Sequence, residues 1–72
     1  MGRLILFLAR KKLGLKLNQH FQFVGQKSDA EYYFTKTAVM KSFLRNNREI
    51  VVESGVSLNW IVNKDCKIKV IA

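Results

Sequence analysis

The apolar positions of this chain change period several times, and each change predicts an element. Residues 3–12 open with Leu4, Ile5, Leu6, Phe7, Leu8 and Ala9 and close with Arg10, Lys11 and Lys12. Leu4, Phe7, Leu8 and Lys11 fall three and four apart, which places them on one face of a short helix, and Gly14 supplies its C-terminal stop. Ile5 and Leu6 spread the apolar surface round most of that helix, so the segment needs burial or a partner. A strand through 3–9 is the alternative. From Leu13 the period is two. Leu13, Leu15 and Leu17 alternate with Gly14 and Lys16, and Phe21 and Phe23 flank Gln22, the mark of a half-buried strand. Asn18 and Gln19 interrupt that run. Residues 25–29 have turn composition, and Glu31-Tyr32-Tyr33-Phe34-Thr35 is rich in strand formers. Segments 20–25 and 31–35 pair as an antiparallel hairpin.

Ala38, Val39, Met40, Phe43 and Leu44 return to helical spacing and predict a central helix, capped by Thr35 or Thr37 and ended by Asn46-Asn47. Residues 48–53 read as a strand around Ile50, Val51 and Val52. Ser54-Gly55 is a turn, Ser57 caps one helical turn through Leu58, Trp60 and Ile61, and residues 63–65 turn again. Residues 66–71 form the last strand, with Cys66, Ile68 and Val70 on one face and Lys67, Lys69 and Ile71 on the other. The expectation is one α+β domain over residues 1–72 in two layers. It has a four-stranded, mostly antiparallel sheet, a short N-terminal helix, one central helix and one short helical turn.

Charge changes the picture most. Residues 1–27 carry Arg3, Arg10, Lys11, Lys12, Lys16 and Lys27 with no acid, while all five acids of the chain lie in residues 28–72. The whole chain has a formal net charge of +8. Such a bias points to a polyanionic partner, nucleic acid or an acidic protein. Arg10, Lys11, Lys12 and Lys16 are the phosphate-contact candidates. The plainer reading is a cationic helix end favoured by the macrodipole. In the predicted hairpin Phe21, Phe23, Tyr32 and Phe34 share the core face, and Tyr33 stands opposite with Gln22. There Tyr33 is placed to stack on a base, or simply to cover the sheet.

Catalytic chemistry is sparse, and the chain is read as a non-enzyme. His20 and Cys66 are the only histidine and the only thiol, and Cys66 sits in an apolar alternation that suits an inert buried thiol. No metal or cofactor is expected, since the chain lacks a phosphate-binding Gly loop and a His/Cys cluster. The apolar start is too short for a signal peptide or a membrane span, which leaves a cytoplasmic protein as the expectation. Leu4 to Leu8 beside several cations also suit an anionic membrane surface. A surface for homo-oligomerisation through the segment Leu4 to Ala9 fits better, because a core this small gains from a partner.

The layout resembles that of small uncharacterised proteins carried by phages and prophages of Gram-positive bacteria. The residues that carry this are Leu13-Gly-Leu-Lys-Leu-Asn18 leading to Phe21-Gln-Phe23, then Tyr32-Tyr-Phe-Thr35, then Ser57-Leu-Asn-Trp-Ile-Val62 before Cys66-Lys-Ile-Lys-Val-Ile71. The resemblance implies a mobile-element origin and an accessory role. Two functions follow as expectations. One is a sequence-tolerant nucleic-acid-binding module. The other is a protein–protein module, an oligomeric adaptor or an inhibitor that engages an acidic host protein.

Overall fold

A computed structural model of the chain describes residues 2–25, 30–53 and 56–71. Its elements in chain order are α1 (Gly2–Leu13), β1 (His20–Phe23), β2 (Glu31–Phe34), β3 (Val39–Arg45), β4 (Arg48–Glu53), α2 (Leu58–Asn63) and β5 (Ile68–Val70). The strands form one antiparallel sheet in the order β4-β3-β2-β1-β5. The expected α+β class therefore holds, with five strands where four were expected. The turn expected at Ser54-Gly55 and residues 26–29 of the first hairpin lie outside the described residues.

α1 ends where Gly14 was expected to end it. Gly14 takes φ +70°, a left-handed conformation that costs a residue with a Cβ about 1–2 kcal/mol. The N–H of Leu15 donates to Arg10 O at 3.1 Å and that of Gly14 to Lys11 O at 3.0 Å. These are the two bonds of a Schellman cap, and Leu15, buried, supplies its apolar anchor. This cap overturns the strand expected from Leu13. Leu13 belongs to the helix, and residues 15–19 turn back toward the sheet. Asn18, at φ 62°, donates its N–H to Phe34 O at 2.8 Å.

The first hairpin pairs as expected, with His20 opposite Tyr33 and Phe21 opposite Tyr32. Phe21, Phe23, Tyr32 and Phe34 all lie on the inner face, their rings 5.0–5.9 Å apart. Leu6 and Ala9 of α1, Leu15, Ala30, Val39 and Ile61 of α2 complete the buried cluster. Both helices thus cover one face of the sheet. Burial of each large side chain contributes roughly 1.5–3 kcal/mol before entropy is charged against it.

The central helix expected over residues 38–44 is instead β3. Its apolar residues serve two faces of a strand: Val39 and Phe43 point inward with Phe34 and Ile50 as neighbours, Met40 and Leu44 outward. The deciding residues are Asn46 and Asn47, both with positive φ (53° and 62°). Two successive left-handed residues make the type I′ turn whose twist matches an antiparallel pair, so β3 returns directly into β4. Thr35 does use its hydroxyl as a cap, but for a turn. Oγ1 accepts the N–H groups of Thr37 (3.3 Å) and Ala38 (3.0 Å), while Thr35 N–H donates to Ala38 O at 2.8 Å. Ser57 caps α2 as expected, its Oγ accepting the Trp60 N–H at 3.3 Å.

Candidate interaction surface on α1

The sequence leaves α1 apolar on nearly every side, and packing selects which side is used. Leu6, Ala9 and the half-buried Leu13 face the sheet. At 100° per residue the opposite side then carries Leu4, Phe7, Leu8 and Lys11. These are the four residues that shared a face by spacing, and that face is turned to solvent: Leu4 is 68% exposed, Phe7 45% and Leu8 46%. The guanidinium of Arg10 lies 5.8 Å and the ammonium of Lys11 5.6 Å from the centre of the Phe7 ring. An apolar stripe with cations drawn over its aromatic residue is the most conspicuous feature of the described surface.

The expected site residues divide between places. Arg10 and Lys11 border the stripe, and Lys16 stands exposed in the loop that follows α1. Lys12 is engaged elsewhere. Its ammonium donates to Val62 O at 2.6 Å and Lys64 O at 2.7 Å, closing the C-terminal end of α2. Lys12 and Arg10 therefore lie on opposite flanks of α1, Lys12 toward α2. Tyr33 points from the outer face of the sheet, as its strand phase required, and so away from the helix layer. It stacks on His20 with ring centres 4.7 Å apart and planes inclined by 17°. His20 Nδ1 is in turn 3.1 Å from Glu31 Oε2. Tyr33 and the basic cluster do not form one surface.

Charge is sorted by sheet face. Strand register puts Lys41, Arg45 and Arg48 on the helix side, with no carboxylate among the described strand side chains there. Glu31 and Glu49 lie on the outer face, with Lys69 opposite Gln22 toward the far edge. The two carboxylates help to line a hollow of about 490 Å³ with Ser42, Phe43 and Leu44. Alternation could reveal this sorting only once β3 was known to be a strand.

The remaining candidates lie apart from one another. Cys66 is a free thiol packed against the core cluster, whereas His20 is held by Tyr33 and Glu31 on the outer face. The two do not meet as a dyad. Trp60 lies edge-on to Phe23 at 5.6 Å and is still 39% exposed. Among the described residues no three His, Cys, Asp or Glu side chains gather where they would hold a metal ion, and no helix is long and apolar enough to cross a membrane. No protein-family model, curated protein or solved structure matches the chain.

Proposed function

We propose that this chain is a small basic protein-interaction module whose working surface is the outward stripe of α1. The observation that carries this reading is the exposure of Leu4, Phe7 and Leu8 on a helix whose other side is already anchored in the core. Exposed apolar residues scattered singly need no explanation, but a contiguous stripe does. Arg10 and Lys11 beside it favour a partner with an apolar groove and an acidic rim, and their field would speed its approach. α1 carries no acid, so a second α1 offers Arg10 and Lys11 no ion-pair partner. The surroundings are those of an accessory protein of a phage or other mobile element, a context that rests on the resemblance alone.

Affinity capture tests this with nuclease-treated cell extract, comparing the native chain with Leu4→Ser/Phe7→Ser/Leu8→Ser. A discrete protein should be retained by the first and lost by the second, with the melting temperature little changed. Captured material seen only when nuclease is omitted, or that ignores the three serines, overturns the reading.

A second reading, sequence-tolerant nucleic-acid binding, is favoured by one observation: Arg10, Lys11, Lys41, Arg45 and Arg48 all belong to the helix side, without a described strand carboxylate among them. On this reading Arg10, Lys11 and Lys16 contact phosphates, Lys41, Arg45 and Arg48 add attraction from the same side without direct contact, and Tyr33 takes no part.

A further inference from the structure

We infer that β4 is an open pairing edge whose partner is β4 of a second copy, joined antiparallel into one continuous sheet. The two sheet edges differ in how they are protected. β5 is three residues long and has Lys67 and Lys69 at and beside it, two of the devices that keep an edge from pairing. β4 is six residues long, with Ile50, Val51 and Val52 in succession and no lysine or proline. Val51 is 46% and Val52 39% exposed, on opposite faces of the strand. Arg48, Glu49 and Glu53 give β4 some charge, but its length and apolar centre leave a row of unpaired backbone groups that can template pairing with another strand.

The hairpin fixes which backbone groups are free. Arg45 and Arg48 flank a two-residue turn, and in such a hairpin the flanking pair exchanges both backbone bonds. Alternation then turns the N–H and C=O groups of Arg48, Ile50 and Val52 toward β3. Those of Glu49, Val51 and Glu53 point away from the sheet. A second β4 across a dyad normal to the sheet must match residues of the same facing. Centred on Ile50, the register pairs Ile50 with Ile50, Glu49 with Val51 and Arg48 with Val52. It forms four backbone bonds, two between each Glu49 and the opposing Val51, and sets no like charges opposite one another. The next register, centred on Val51, would form six backbone bonds but places Glu49 against Glu53 twice, and that like-charge opposition weighs against it. The strand also begins at Arg48, beside Arg45, and ends at Glu53, so antiparallel pairing sets each cationic end toward an acidic one. Charge along the strand thus selects a second copy in this orientation.

The pairing closes as a dimer, since one edge is consumed and β5 is guarded. Because the dyad is normal to the sheet, both helix layers fall on the same side. The dimer then presents two α1 stripes together, a bivalent form of the surface proposed above. Only this consequence rests on the α1 reading; the pairing itself does not.

Sedimentation equilibrium of the intact chain, from micromolar to millimolar concentration, tests the inference. The native chain should pass from 8.3 kDa to twice that mass. Val51→Pro removes an outward N–H without touching the bonds to β3, and Val51→Lys adds an edge guard. Each should weaken the dimer at least tenfold. The Leu4→Ser/Phe7→Ser/Leu8→Ser chain should dimerise as the native chain does, which separates a failure here from a failure of the α1 reading. Amide exchange covers the case of a variant that does not fold: in the native chain the Glu49 and Val51 amides should slow as concentration rises. A chain that stays monomeric throughout, a dimer indifferent to both Val51 variants, or amides that exchange alike at both concentrations overturns the inference.

Discussion

The Lys12 ammonium lies 2.6 Å from Val62 O, fifty residues along the chain, and so joins the last turn of α1 to the end of α2. A cation there satisfies carbonyls that α2 leaves without partners and suits the negative end of its dipole. Lys12→Met should therefore destabilise the domain by about 1 kcal/mol, seen as a fall in Tm of roughly 4–8 °C for a chain this size. Lys11→Met, one residue earlier and set over the Phe7 ring instead of on the α2 carbonyls, should stay within about 0.5 kcal/mol of the native chain.

The assignment of faces on α1 makes a sharper prediction. Leu6 is buried and Leu8 is not, although the two are chemically identical and two residues apart. Leu6→Ala should cost about 2–5 kcal/mol, the range for a cavity in a packed core. Leu8→Ala should cost well under about 1 kcal/mol. Urea titrations of the two variants check this, and equal losses would mean that the helix is rotated.

The β3–β4 turn rests on two asparagines in left-handed conformation. Replacing Asn46 or Asn47 by Ala should cost about 1–2 kcal/mol each, because a Cβ is strained there without the local hydrogen bonding of Asn. Asn47→Gly should leave Tm unchanged or raised, since glycine adopts that conformation freely. Thermal melts followed by circular dichroism separate these outcomes.

Salt dependence weighs the nucleic-acid reading. With Lys12 held by α2, three of the four cations first considered remain for phosphates. Binding of a labelled duplex should then give a slope of log K against log salt of about −2.7. Lys16→Ala should make it shallower by about 0.9, and Tyr33→Ala should leave affinity for a labelled single strand unchanged. An unchanged slope in Lys16→Ala, or loss of single-strand binding in Tyr33→Ala, contradicts this placement.

Much of the fold was legible where the signal was local. Gly14 ended α1, Ser57 capped α2, and alternation in Phe21, Phe23, Tyr32 and Phe34 placed all four in the core. The central element was misread because Val39, Met40, Phe43 and Leu44 suit a helix face and a two-sided strand alike. The tie-breaker was the Asn46-Asn47 pair, which reads as a helix stop or as a hairpin turn until φ is known. The candidate site was half legible. Spacing found the face shared by Leu4, Phe7, Leu8 and Lys11, but not that Leu6 and Ala9 would take the core. That choice depends on how many apolar faces the sheet can cover. The grouping of Tyr33 with the cations failed because sequence distance does not say which side of a sheet a helix covers. Nor could Lys12 be singled out from its neighbours, since its partners lie on another element.

On the proposed function the protein works through the outward face of α1 and not through the outer face of the sheet. Benzophenone-alanine placed at Phe7 in one chain and at Tyr33 in another, irradiated in cells, compares the two faces in one experiment. The account predicts a discrete protein adduct from position 7, abolished by Leu4→Ser/Leu8→Ser, and none from position 33. Adducts from position 33 alone, or from position 7 only to lipid or nucleic acid, would contradict it.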